Sequence, residues 1–176
     1  MKKVLVIALM LGTGLAYASS LGVPWFVDNA PTGIHPPKAA KVEGYIYVHN
    51  NHTEALNVTI AYYTMEGAYI GPDGPDNTFD IQPNASIAFR PVQDDSIYEA
   101  NAARAIPNRP RFTYPPSNTD NDLKKNGSCV FTWLGDSSFI TGAYWMCQIG
   151  TSVVSATDPT EVYKYIGYGH LLPSGA

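Results

Sequence analysis

Between Val42 and Thr64 the apolar residues fall on every second position. Val42, Ile46 and Val48, then Leu56, Val58, Ile60 and Tyr62, share one parity, while Glu43, His49, Asn57 and Thr59 share the other. A helix returns a side chain to the same face only every three or four residues, whereas a strand does so every two. The polar run Asn50-Asn51-His52-Thr53-Glu54 divides the stretch into two strands. Folded back as an antiparallel hairpin, with Val48 opposite Leu56 and Ile46 opposite Val58, they bring every apolar side chain to one face, which needs a second layer to cover it. A second hairpin is expected about Pro83-Asn84, with Phe79, Ile81, Ile87 and Phe89 inward, and a third joins residues 129–134 to residues 143–147. Fourteen Pro, fifteen Gly and twelve Tyr against 15% charged residues fit short strands joined by many turns. The expected fold is all-β: an antiparallel β-sandwich of about seven to nine strands, immunoglobulin-like or jelly-roll-like, with long irregular loops.

The beginning of the chain predicts its compartment. Lys2-Lys3 is a basic start, Val4 to Leu11 is an apolar run too short to cross a bilayer, and Ala16-Tyr17-Ala18 has the small-x-small form of a cleavage site. Residues 1–18 therefore read as a signal peptide and Ser19 as the mature start of a secreted chain, extracellular or periplasmic, that spans no membrane after cleavage. The remaining 158 residues suit one domain. Removing Lys2 and Lys3 from 11 basic residues against 15 acidic takes the formal charge from −4 to −6, which argues against a nucleic-acid surface. Residues 19–41 form a proline-rich N-terminal arm ahead of a sandwich domain over residues 42–176. Pro24, Pro31, Pro36 and Pro37 exclude a central strand for most of the arm. Its large apolar side chains, Trp25 and Phe26, suit either packing back on the arm's own domain or donation to a neighbouring subunit.

In the third hairpin, Leu134 opposite Gly142 sets Cys129 opposite Cys147. The spacing of facing Cα atoms in that register admits a disulfide, here enclosing 17 residues. The middle of the chain, residues 91–127, reads as an irregular excursion. It holds one helical turn around residues 95–103, capped by Asp94 or Ser96, and an edge strand over residues 111–114.

Chemistry is sparse. His49 and His52 share a loop at a spacing that suits two ligands of one zinc, and a third would come from Glu54 or His170; His35 stands apart. Asp73, Asp76, Asn77 and Asp80 make an oxygen-rich loop of the kind calcium takes, without the alternation or terminal Glu of an EF-hand. No metal or cofactor is assigned. No nucleophile elbow, zinc-protease motif or phosphate loop is present, so an enzyme is not expected. Four N-x-[ST] sequons, at Asn51, Asn57, Asn84 and Asn126, are assigned no function. The candidate ligand face is aromatic: Tyr45 and Tyr47, on the outward parity of the first hairpin, beside Asn57, Thr59 and Tyr63. Such a surface suits stacking on sugar rings or burial in a protein interface.

The run from Tyr47-Val48-His49-Asn50 through Val58-Thr59-Ile60-Ala61-Tyr62-Tyr63 and Gly67 to Ile81-Gln82-Pro83-Asn84-Ala85-Ser86-Ile87-Ala88-Phe89 resembles the strand grammar of secreted bacterial immunoglobulin-like modules. It is also distantly similar to the sugar- and partner-binding β-sandwich of the rhodopsin-transducer family. The resemblance implies a sandwich and carries over no binding residue. Trp133, Cys129 and Cys147 depart from the antibody pattern, in which a disulfide joins two sheets around a Trp. The expected function is that of a secreted, non-catalytic structural or adhesive surface protein that self-associates through its N-terminal arm or meets a cell-surface partner. The alternative is a carbohydrate-binding module that uses its tyrosines to hold a glycan.

Overall fold

The computed structural model describes residues 18–28, 42–92, 106–110, 126–151, 163–172 and 174–175. The strands are β1 (Ala18–Val27), β2 (Val42–Asn50), β3 (Leu56–Thr64), β4 (Tyr69–Gly71), β5 (Thr78–Ile81), β6 (Ser86–Phe89), β7 (Asn126–Leu134), β8 (Ile140–Thr151), β9 (Tyr163–Leu172) and β10 (Ser174–Gly175). A single 3-10 turn, Ser137–Phe139, precedes β8. Among the described residues all pairings are antiparallel, and they form two sheets and no closed barrel. The six-stranded sheet runs β10-β1-β7-β3-β4, with β5 also against β3; the four-stranded sheet runs β6-β2-β8-β9.

The apolar parity read from the sequence is the parity of the core. Val58, Ile60, Tyr62, Phe79, Ile81, Phe131 and Trp133 of the larger sheet face Ile46, Val48, Phe89, Ile140 and Tyr144 of the smaller one. Phe131 joins the layers, with its ring edge-on to Phe79 at 6.4 Å and to Phe89 at 6.1 Å.

None of the three expected hairpins forms. β2 pairs with β6 and β8, whereas β3 pairs with β7, β5 and β4, so the polar run after Asn50 carries the chain from one sheet to the other. The links from β5 to β6 and from β7 to β8 cross between sheets in the same way. Alternation fixes which side of a strand meets the core. It is equally satisfied by two strands side by side and by two strands facing each other across the core, and here the second arrangement covers both apolar faces.

Buried Asn50 ties the crossings together at one end of the sandwich. Its side-chain nitrogen lies 2.8 Å from Glu54 O, 3.0 Å from Ile81 O and 3.1 Å from Gln82 O, and its oxygen accepts from His52 N. Its backbone N–H donates to Ala85 O, and the next, that of Asn51, donates to Phe139 O. One fully buried amide is thereby satisfied by carbonyls of two crossings, and its neighbour reaches the third.

The expected disulfide fails for the same topological reason. Cys129 stands opposite Val23 and Tyr62 in the larger sheet, and Cys147 stands opposite Glu43 and Gly167 in the smaller. Cys129 has the inward parity of Phe131, whereas Cys147 has the outward parity of Trp145, and stacked sheets lie about 10 Å apart. Side chains pointing apart from different layers cannot be bridged, and both thiols are free and buried. Burial pushes both thiols up from their ordinary range, and the Glu43 carboxylate adds to the effect at Cys147.

The start of the expected arm is a full strand of its own sheet. β1 pairs with β7 along most of its length and with β10 at Ser20 and Leu21. Pro24 is accommodated where the register shifts between Val23 and Phe26, a bulge that releases the ladder from needing its missing N–H. Leu21, Val23 and Phe26 are fully buried, whereas Trp25 is 48% exposed. Residues 1–17 of the expected signal peptide, the rest of the expected arm, the expected helical turn around residues 95–103 and the expected edge strand over residues 111–114 lie outside the described residues.

Candidate functional site

The outward parity of β2 carries Glu43, Tyr45, Tyr47 and His49, which stand opposite Cys147, Trp145, Ala143 and Thr141 of β8. Beyond β8, Gly169 of β9 stands opposite Trp145, and Leu171 opposite Ala143. Tyr45, Tyr47, Trp145 and Leu171 therefore share the outer face of the four-stranded sheet.

One end of this face is closed. Glu43 is fully buried and Tyr45 is 5% exposed, and the Tyr45 hydroxyl donates to Glu43 Oε2 at 2.8 Å. Arg90, on the strand edge beside them, holds Asp28 with two bonds, Nε to Oδ2 at 2.7 Å and Nη2 to Oδ1 at 2.5 Å, and its Nη1 lies 3.6 Å from Glu43 Oε1. Asp28 Oδ2 also accepts from Gly44 N. Burying two carboxylates is tolerable only with such pairing. The chain is drawn in tightly here: a Cβ at Gly44 would come within 2.6 Å of Val27 O and 2.8 Å of the Tyr144 hydroxyl. That hydroxyl accepts from Val27 N and donates to Val27 O, and burial raises its pKa to about 12.

The other end is open. Tyr47, Trp145, His170 and Leu171 line a groove of about 490 Å³ whose surface is mostly apolar. Leu171 is 84% exposed and Tyr47 39%. Trp145 is seated by two glycines. A Cβ at Gly167 would meet its Cζ2 and Nε1 at 2.9 Å, and one at Gly169 would meet its Cδ1 at 3.0 Å. The indole thus lies across the strand backbone of β9 where any side chain would displace it. Tyr45 packs beside it at 5.6 Å and stacks with Tyr47 at 6.3 Å, linking the closed end to the open one.

The expected ligand face is split. Tyr45 and Tyr47 belong to this surface, although Tyr45 is a buried support. Asn57 and Tyr63 lie on the opposite side of the molecule, on the outer face of β3, where Asn57 donates to Asp80 and Tyr63 packs near Tyr69. Trp145, Leu171 and the glycines of β9 complete the groove and were not legible as a site. Their signal is the alternate Gly167 and Gly169 in a strand otherwise rich in large residues, but it becomes useful only once β9 is known to lie beside β8.

The expected polar clusters do not converge. His49 pairs with Ser86 Oγ at 2.8 Å, His52 packs on Phe139 and accepts from Glu54 N through Nδ1, and His170 lies across the sheet against Tyr144. Asp73, Asp76 and Asp80 are exposed. Among the described residues no three His, Cys, Asp or Glu side chains come together as a metal site. The His49–Ser86 contact is an exposed pair across the β2–β6 ladder. Comparison with known proteins finds no matching family model, no matching curated protein and no matching solved structure.

Proposed function

We propose that this chain is a non-catalytic adhesive module of an exported protein, and that the groove on its four-stranded sheet holds carbohydrate. The observation that carries the reading is the seating of Trp145: the indole rests across Gly167 and Gly169, buttressed by Tyr45, beside the exposed Tyr47. A broad, preorganised aromatic surface suits the apolar C–H face of a sugar ring, because little is lost in ordering it on binding. The basic, apolar and small-x-small start of the chain supports export.

Donation of the N-terminal arm is disfavoured by what β1 does in its own chain. Handing it to a neighbour would empty the core positions of Leu21, Val23 and Phe26, so it requires an exchange of strands rather than the addition of one. A glycan array probed with the purified protein tests the proposal. Binding is expected, with affinity lost by at least about tenfold in Trp145→Ala, and an array with no bound glycan would defeat it.

A further inference from the structure

We infer that the groove continues into a second, polar subsite built from His49, Ser86 and Thr141, and that its ligand is a linear oligosaccharide lying along β2 and β8 instead of a single sugar. The inference rests on the reading of the groove as a carbohydrate site. The outer face is laid out in rows: Glu43 opposite Cys147, Tyr45 opposite Trp145, Tyr47 opposite Ala143 and His49 opposite Thr141. On the other side of β2, Ser86 of β6 stands opposite His49. A ligand seated on Trp145 can extend along these rows in one direction. Toward β2's beginning the face is closed, since Glu43, Tyr45 and Cys147 are buried. Toward its end the face is accessible: Tyr47, Ser86 and Thr141 are exposed and His49 is half-buried.

The last row changes the chemistry. Trp145, Tyr47, Ala143 and Leu171 offer rings and alkyl groups, whereas the His49 row offers polar groups already held in place. His49 Nδ1 lies 2.8 Å from Ser86 Oγ, a bond that fixes the ring and keeps its other nitrogen, Nε2, out of that contact. Thr141 Oγ1 accepts from Asn51 Nδ2 at 3.4 Å, which leaves the hydroxyl proton to donate. A few fixed polar groups beside an apolar floor orient a ligand that the floor alone would only hold. Sugar hydroxyls, which donate and accept, suit both partners. Thr141 and Trp145 are four residues apart on β8, roughly 14 Å along the strand, a span that one pyranose ring cannot cover. One sugar therefore stacks on Trp145 and Tyr47, and another in the same chain meets His49 and Thr141.

The test is a glycan array that carries each sugar as the monosaccharide and as linear chains of increasing length. The full mature chain is expected to bind the longer chains at least about tenfold more tightly than their monosaccharide, the gain that one or two added hydrogen bonds supply. His49→Ala and Thr141→Val should each remove about three- to tenfold of that gain. Thr141→Ser, which keeps the hydroxyl, should bind like the parent, and this separates loss of the bond from loss of the fold. Three results would overturn the inference and leave the groove standing as a sugar site: a monosaccharide bound as tightly as its chains, His49→Ala and Thr141→Val binding the chains like the parent, or Thr141→Ser losing as much as Thr141→Val. An array with no bound glycan would overturn both.

Discussion

On the outer face of the six-stranded sheet, Thr59, Thr132 and Ser20 stand in one cross-strand row, and Asn57 bonds Asp80 at the rim. On the outer face of the four-stranded sheet, the corresponding positions hold Glu43, Tyr45, Tyr47 and Trp145. Both faces have the same outward parity. The first carries small polar and β-branched side chains along that row, with the exposed Tyr69 beside Tyr63 and the exposed Leu134 also on this face. The second buries a carboxylate and a tyrosine at one end and opens an aromatic groove at the other. Outward parity therefore places a residue away from the sandwich core, but not necessarily in solvent. The end of β1, through Asp28, and the end of β6, through Arg90, seal part of the second face and fix the base on which the open part rests.

The largest effect that separates the faces should come from Arg90. Arg90→Met removes the guanidinium that bonds buried Asp28 and lies beside buried Glu43, and denaturant unfolding should show a loss of about 3 to 5 kcal/mol. A loss near zero would mean that the closed end is not sealed. Next in size is Asn50→Ala, which leaves the carbonyls of Glu54, Ile81 and Gln82 without their common donor and should cost about 2 kcal/mol in the same assay. Gly167→Ala should cost about 1 kcal/mol, because the indole of Trp145 must lift to admit a methyl group. Its effect on glycan binding should be proportionally larger, since the lifted ring is the proposed contact. At the small end, Thr132→Ala and Asn57→Ala on the polar face should stay within about 0.5 kcal/mol of the parent.

Tyr144 adds a pH dependence of known sign. Its pKa is raised by burial to about 12, against an ordinary value of 10.0. The folded state favours the neutral phenol, so this contribution is intact below pH 10 and is lost as pH rises toward 12. The unfolding midpoint should fall across that window, and the fall should be smaller in Tyr144→Phe.

Much of the fold was legible because alternation is a local property. The inward sets Val58, Ile60, Tyr62 and Ile46, Val48 follow from parity alone, and so does the need for two layers. Strand partnership is not local. A hairpin and a crossing between sheets use the same pattern, so Cys129 and Cys147 looked like cross-strand neighbours while belonging to different sheets. The same ambiguity put Tyr45 and Tyr47 together with Asn57 and Tyr63, which the crossing after Asn50 sends to the far side. Trp145 was hidden because its support comes from β9, eleven residues beyond the end of β8. Glu43 falls on the polar parity of β2 and Asn50 opens the polar run that follows it, and neither placement predicts burial. Their burial depends on Arg90, Asp28 and three chain crossings, which no local pattern announces.

The comparison of the two faces is tested most directly by mapping backbone amide chemical shifts while the protein is titrated with a glycan that the array identifies. The account predicts that perturbations cluster at Tyr47, Ala143, Trp145 and residues 169–171, and that Asn57, Thr59, Tyr63, Ser128 and Thr132 stay unmoved. Perturbations centred on that second set, with the Trp145 amide and indole N–H unchanged at saturation, would contradict it.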